Sequence, residues 1–350
     1  MEFTIENRKV IDLMPLLSLN NIERTPSSRM GASSIGEDCE RKTWLAFHWA
    51  MKDDISGKSN LIFGIGSTLE DLMGELLERK TDTATIMSKS LTANGLDIKY
   101  TGKEQIKVEV SPHFVVMPDG IIFSGVPTAE DTIHVWENKT SNNRHFNDLK
   151  KNGVRAAQPK HYSQMQIEMY GASMFLGKRV ERALYTSINK DSAEVYAERI
   201  DRDEETIKKL LEKAKRIRLS ALLPEAVSND PTWNTCKYCA YSHFCFLTHE
   251  VENINCRTCA HSYPDADGKW KCQLGKDISD TKTQTQPCDW HTFNPSLVPW
   301  PVVNECCTPY ACAYELSNGE IILNGYGGET SEKLKQLSVP KPKNGWEVKF

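Results

Sequence analysis

Met117-Pro118-Asp119-Gly120 and, a short interval later, Trp136-Glu137-Asn138-Lys139 decide how this chain reads. The first stretch sets a carboxylate at a Pro/Gly-marked end of one extended segment. The second sets a carboxylate and an amine two residues apart on the next. Side chains alternate faces along a strand, so Glu137 and Lys139 point one way and Asn138 the other. Asp119, at the mouth of the neighbouring segment, then meets them at one end of a sheet. Two acids and an ammonium converging there suit a divalent cation with hard oxygen ligands, and a lysine that steadies an attacking water or a phosphate oxygen. That is the layout of metal-dependent phosphodiester cleavage.

Upstream, Ser33-Ser34-Ile35-Gly36-Glu37-Asp38-Cys39-Glu40-Arg41 reads as a loop feeding an N-capped helix that continues through Trp44, Phe47 and His48. Gly64-Ile65-Gly66 opens a second helix, with Leu69, Leu72, Met73, Leu76 and Leu77 as an apolar stripe. Glu70 lies just off that stripe, either as a solvated acid or as a third carboxylate aimed at the metal. Residues 105–110 alternate as a strand, residues 113–123 as a strand pair turning at Asp119-Gly120, and residues 133–138 as the next strand.

Downstream comes a basic loop with Arg144, His145, Lys150, Lys151, Arg155, Lys160 and His161. A charge run is usually a solvated face; its place directly after the acid site points instead to sequence-blind contact with a phosphate backbone. A helix follows from Tyr162, with Met165, Met169, Ala172, Phe175 and Leu176 as its core stripe. Gln166 and Tyr170, four apart on one helical face, either satisfy buried backbone or orient catalytic groups. Residues 181–189 and 193–200 form a strand pair, and residues 204–219 a charged helix. The fold class is α/β, a mixed sheet with helices on both sides.

A chain of 350 residues has the length of about two domains. Its net charge of −4 excludes nothing, because acids gather at a metal site while local basic stretches meet phosphates. The apolar patch at residues 10–19 carries Asp12 and Pro15 and does not read as a signal peptide. No run approaches the roughly 18 apolar residues of a membrane helix. A reducing cytoplasm is the expected compartment, and there clustered cysteines favour metal over disulfides.

The chain holds eleven cysteines. Cys236, Cys239 and Cys245 are spaced C-x2-C-x5-C, and the unassigned Cys39 makes a fourth. Zinc or an iron–sulfur cluster would accept this set, and either would staple the start of the chain to its far end. Cys256, Cys259, Cys272 and Cys288, spaced C-x2-C-x12-C-x15-C, look like a zinc ribbon, with Gly268 and Trp270 shaping a hairpin between them. His261 and His291 are substitutes for a ligand there. Cys306, Cys307 and Cys312 read as structural thiols, residues 314–323 as a hairpin around Asn318-Gly319, and the chain from Lys333, with Pro340 and Pro342, as a loosely held tail.

With these residues in this order the chain resembles the PD-(D/E)XK nucleases of the RecB-like branch, and more closely the iron–sulfur exonucleases of the AddB and CRISPR-associated adaptation type. The matching pieces are Ser33-Ser34 with Cys39, Gly66-x3-Glu70, Asp119-Gly120, Glu137-x-Lys139, Gln166-x3-Tyr170 and the trio Cys236, Cys239 and Cys245. They span residues 30 to 250.

The resemblance implies a restriction-endonuclease-like core in which Glu70, Asp119 and Glu137 bind Mg²⁺ or Mn²⁺ and the Asn138 carbonyl joins them. It implies that Lys139 positions the water, that Gln166 and Tyr170 mark the motif helix, and that Cys39, Cys236, Cys239 and Cys245 hold a [4Fe–4S] cluster. Where many relatives carry histidine at the first acidic motif, this chain has Glu70. The ribbon, with Zn²⁺, looks like segments found beside such nucleases in phage proteins.

The expected domains are a nuclease with its cluster at 1–250, a ribbon at 251–298, and a hairpin with a tail at 299–350. The expected activity is exonucleolytic hydrolysis of single-stranded DNA or DNA ends in recombination, replication or repair. Arg144, Lys150, Lys151, Arg155 and Lys160 would lie on the DNA, the ribbon could dock a protein partner, and the setting would be a bacterial cytoplasm. A DNA-binding adaptor that has lost the chemistry, or an iron–sulfur redox sensor, is the other reading.

Overall fold

A five-stranded mixed sheet carries the acid–acid–lysine stretch. The computed structural model describes residues 27–51, 54–78 and 95–337, with the backbone alone at residues 2–5, 8–11, 22–23 and 54–55. The helices used below are α1 (Glu40–Phe47), α2 (Gly57–Leu77), α3 (Asn143–Ala157), α4 (Pro159–Leu176), α5 (Glu204–Leu219) and α6 (Ser331–Leu337). The strands are β1 (Asp97–Lys99), β2 (Gly120–Ser124), β3 (His134–Ser141), β4 (Arg182–Asn189), β5 (Val195–Asp201), β6 (Ser262–Pro264), β7 (Trp270–Cys272), β8 (Ala311–Glu315) and β9 (Ile321–Gly325).

By contact the chain divides into two units, one of residues 1–25, 53–110 and 116–208, the other of residues 26–52, 111–115 and 209–350. The expected divisions at 250/251 and 298/299 follow motifs; these units interleave along the sequence.

In the first unit the sheet order is β5-β4-β3-β2-β1. Only β3 and β4 run parallel, His134 facing Arg182 and Ser141 facing Asn189. Parallel neighbours need a long crossover, and α3 with α4 supplies it. Alternation sorts the strand residues between two faces. Ile121, Val135, Ala183 and Tyr185 pack with Leu149, Met165, Met169 and Ala172 of the crossover helices. Ile122, Trp136, Leu184 and Ile188 pack with Met73. Helix α4 lies so close to the chain before β2 that a Cβ on Gly171 would stand 2.2 Å from Val116 Cγ2; only glycine permits that approach.

Several expectations about elements are corrected. Phe114–Val116 does not turn back on β2 at Asp119-Gly120; it pairs in parallel with Met30–Gly31, while β2 pairs with β3. Helix α2 does not open at Gly64 but at Gly57, where Ser56 Oγ accepts the Ser59 N–H (3.1 Å). Of its stripe Met73 is buried, whereas Leu72 and Leu76 are exposed. The basic stretch is not a loop: Arg144 to Arg155 lie in helix α3, capped by Asn142, whose Oδ1 accepts the His145 N–H (3.0 Å), and anchored by buried Phe146 and Leu149, and Lys160 and His161 lie in the first turn of α4. Phe175 of α4 is exposed rather than core.

The second unit contains α1 and the cysteine-rich region. Strands β6 and β7 form the hairpin expected around Gly268, and β8 and β9 the one expected around Asn318-Gly319. Lys333 lies in α6, whose Leu334 is buried, so the tail does not begin there. Residues 12–19 of the N-terminal patch, and Pro340 and Pro342, lie outside the described residues. Among the described residues no helix is long and apolar enough to cross a membrane.

Candidate active site

Glu137 and Lys139 share the face of β3 that α4 covers, two residues apart on one strand, and they form a salt bridge. Asn138 points to the opposite face, where the Thr186 hydroxyl donates to its Oδ1 (2.8 Å) and the Trp136 indole donates to Thr186 (2.9 Å). Asp119 stands at the head of β2 and accepts the Asn138 backbone N–H on Oδ2 (2.8 Å). That single bond holds the carboxylate against the strand bearing Glu137 and Lys139.

Two groups that the sequence reading passed over complete the corner. Gln164 of α4 donates from Nε2 both to Glu137 Oε1 (2.7 Å) and to Glu168 Oε1 (2.9 Å). Glu137 and Glu168 are fully buried, and the second carboxylate oxygen of each has no hydrogen-bond partner. A buried oxygen left this way is costly and marks a place made to receive something positive.

Gln166 does not take the role expected of it. Its Nε2 donates to the Asp201 carbonyl (2.9 Å), and its Oε1 accepts the Asp203 N–H (2.7 Å), tying α4 to the chain after β5. Gln164 and Gln166, two apart, are about 200° apart around a helix, so the choice between them is a choice of face. Tyr170 is half-buried one turn beyond Gln166. The signal for Glu168 was available: it is the one charged residue from Tyr162 to Leu176, and an acid in so apolar a helix needs a reason.

Glu70 on α2 accepts from Gln105 Nε2 (3.0 Å). Burial, then the Asp119 charge, pushes its carboxyl up to about 7. Burial, then Glu137, likewise pushes Asp119 up to about 7. Glu168 is raised well above the usual range by burial, then by Glu137 and Asp119. Burial pulls the Lys139 ammonium down, but the Glu137 and Asp119 carboxylates outweigh it and hold it far above its ordinary value. The corner therefore gathers more carboxyl groups than one lysine can keep ionised, and they hold on to protons.

Burial, then the Lys139 charge, lowers His161 to about 3. It stands as a neutral ring, not a cation, with Nδ1 on the Tyr185 hydroxyl (3.0 Å). Among the expected DNA contacts, Arg144 and Lys151 are exposed. Lys150 faces Glu194 (3.5 Å), Arg155 faces Asp203 (3.4 Å), and Lys160 begins α4 close enough to His161 to lower it.

The profile of the PD-(D/E)XK nuclease superfamily matches residues 75–246. The match takes in Asp119, Glu137, Lys139, Gln164 and Glu168. Among solved structures, SSO0001 is similar at 16% identity and a TM-score of 0.34, over 66% of this chain and 92% of that one. An alkaline exonuclease from Laribacter hongkongensis, LHK-Exo, is similar at 15% identity and a TM-score of 0.33, over 55% and 87%. Its complex with dAMP is similar at 15% identity and a TM-score of 0.34, over 54% and 86%. No curated protein matches the sequence.

Apart from these acids, Cys39, Cys236, Cys239 and Cys245 line one small cavity with Leu45, Val227 and Phe246. Burial raises Cys236, and the neighbouring Cys39 and Cys239 add to it; burial raises Cys245, which Arg41 offsets. Burial, with smaller contributions from Cys272 and Cys288, pushes Cys256 up to about 11 and Cys259 to about 12. The histidines beside that set have other partners. His291 meets Ser331 Oγ (2.7 Å) and the Asn255 carbonyl (3.0 Å), and His261 meets Thr292 Oγ1 (3.2 Å). Cys307 Sγ accepts the Ala313 N–H (3.2 Å), a structural contact. As they lie, no three His, Cys, Asp or Glu side chains among the described residues surround a common point at metal-ligand distance. Glu137 is drawn to Lys139 and Gln164, and Glu70 to Gln105.

A testable consequence concerns Glu168. A carboxyl raised in the folded state costs no stability below its unfolded pKa and costs more as pH rises through the folded value. In EDTA, Glu168→Gln and the parent protein should therefore melt together near pH 4. At pH 8 the variant should melt higher by roughly 2–4 °C, the shift that about 1 kcal/mol makes in a domain of this size. A variant less stable at pH 8 would show that the acid is paired, not repelled.

Proposed function

We propose that the chain is a metal-dependent DNA exonuclease that hydrolyses phosphodiester bonds of single strands or DNA ends. What supports this most is the corner itself: Asp119, Glu137 and Lys139 on adjacent strands of a nuclease-superfamily domain, with unpartnered oxygens on Glu137 and Glu168. Glu70, Asp119 and Glu137 would hold Mg²⁺ or Mn²⁺, whose hard, oxygen-seeking character suits a set of carboxyl groups that one lysine cannot keep ionised.

When bound, that ion supplies Lewis acidity toward the phosphate and lowers the pKa of a water. The chain's own groups do the rest. Lys139, held charged by its neighbours, orients the attacking water and balances charge as it develops on the phosphate oxygens. Gln164 fixes Glu137 from behind, and Asp119 is set by the Asn138 N–H. Arg144, Lys150, Lys151, Arg155 and Lys160 would steady the backbone.

The four thiols around the Cys39 cavity would hold a [4Fe–4S] cluster as a staple, in line with their number, their shared cavity and the Arg41 charge beside them. Cys256, Cys259, Cys272 and Cys288 would hold Zn²⁺; thiols with raised pKa values give up their protons as the metal binds. A protein partner would dock through this ribbon, and a reducing bacterial cytoplasm, in a host or phage setting, suits so many thiols.

The deciding assay follows end-labelled single- and double-stranded DNA with Mn²⁺, with Mg²⁺ and with EDTA. Metal-dependent shortening from the ends is expected. Intact label under every condition would leave only a DNA-binding subunit.

A further inference from the structure

Three polar side chains of α4 share one side of the helix: His161, Gln164 and Glu168, three and then four residues apart. Gln164 reaches Glu137 and Glu168 (2.7 and 2.9 Å), so this is the side turned to the acids. His161 lies one turn before Gln164, where burial and then the Lys139 charge keep its ring neutral. On the sheet, Tyr185 and Ser187 of β4 stand opposite Glu137 and Lys139, and residues opposite each other share a face. Tyr185 packs with Met165 and Met169 of α4 on that face.

A line of hydroxyls fixes where the His161 proton sits. Burial raises the Tyr185 phenol, and the Ser187 hydroxyl, donating to its oxygen, works the other way. With the Ser187 proton so used, Ser141 is the donor across the 2.8 Å between the two serine oxygens. Tyr185 is fully buried, and a buried hydroxyl proton needs an acceptor. The one it meets is His161 Nδ1 (3.0 Å). A neutral ring that accepts on Nδ1 carries its proton on Nε2. That nitrogen has no partner among the described residues and is not sealed from solvent. An N–H donor is thus presented to solvent beside Lys139.

We propose that His161 is a catalytic residue that donates its Nε2–H to a non-bridging oxygen of the phosphate being cut, keeping its proton throughout. The proposal rests on the nuclease reading and adds a residue to it. Lys139 meets the phosphate with charge, and His161 meets it with a dipole already in place. A neutral ring can stand beside an ammonium where a second cation would be repelled.

The test compares His161→Ala, His161→Asn and His161→Gln for kcat/KM on end-labelled single-stranded DNA with Mn²⁺, and for melting temperature. The Asn amide stands where Nδ1 stood, and the Gln amide where Nε2 stood. Asn therefore repairs the Tyr185 contact, and Gln repairs the donor. In the Ala and Asn variants kcat/KM should fall about 10²-fold, and Gln should recover at least about tenfold of that loss. Stability should rank the other way, with Asn melting nearest the parent. A ring that only supports Tyr185 would leave Asn more active than Gln. That order would overturn the proposal, as would a folded Ala variant that cuts at the parent rate. The comparison of Asn with Gln decides alone if the Ala variant does not fold. Because the donor is neutral, the salt dependence of thymidine-octamer binding in EDTA should be the same for the parent and the Asn variant; a slope reduced by about one would mark a lost cation and overturn the proposal. A parent protein that cuts no DNA loses the nuclease reading and this one with it. One that cuts while the His161 variants rank otherwise loses only this one.

Discussion

Asp119→Ala should lower cleavage of end-labelled DNA by about 10³-fold or more, with the far-ultraviolet spectrum and the melting temperature held near those of the parent. The fold survives because two effects on stability oppose each other. The Asn138 N–H loses its acceptor, a cost of about 1–3 kcal/mol for a buried donor. Against that, a buried carboxylate whose charge is disfavoured by burial and by Glu137 disappears, and the repulsion goes with it. Lys139→Ala should abolish cleavage as well but is the poorer test of chemistry. Removing the ammonium strips Glu137 of its salt bridge and leaves Glu137, Asp119 and Glu168 facing each other with no compensating charge, so the melting temperature should fall along with activity. The two variants thus separate chemistry from packing. A purified, folded Asp119→Ala protein that still shortens DNA at the parent rate would remove this corner from the reaction.

How far the sequence carried the fold differs by element. Strand alternation was enough to put Glu137 and Lys139 on one face and Asn138 on the other, because period two leaves no freedom once a strand is granted. The same was true of the β4–β5 pair and of α5, whose charge pattern spans its whole length. Helix α4 was legible as a helix but not as a face. Gln164 through Met169 are all buried, so the helix is covered all round and periodicity gives no direction. The eye then settles on Gln166 and Tyr170, while the acids lie on the side of Gln164 and Glu168. Helix α3 was misread because its lysines and arginines outnumber its two anchors; Phe146 and Leu149, three apart, were the helical signal. For α2 the apolar residues were read as core, although Leu72 and Leu76, like Leu61 and Ile65, meet solvent. Hydrophobicity tells where apolar side chains are, not what covers them.

Replacing Cys236 by Ser should bleach the protein and soften it together. Cys39 occupies the N-cap of α1 yet makes no capping bond, a position that Ser, Thr, Asp or Asn fills when the helix end is the only concern. A thiol there, in one cavity with three thiols from near residue 240, fits a ligand better than a cap. A link between those points closes a loop of nearly two hundred residues, and loop closure on that scale stabilises by about 5 kcal/mol. The melting temperature should therefore drop by more than about 10 °C, and the broad visible absorption and bound iron expected of the parent should vanish. Cys39→Ser should do the same from the other end of the chain. Cys256→Ser, in the ribbon set, should lose zinc and keep the colour, which shows that the two thiol sets load independently. A colourless parent protein with two zinc ions would replace the cluster by zinc and keep the staple. Cys236→Ser that melts with the parent would remove the staple altogether.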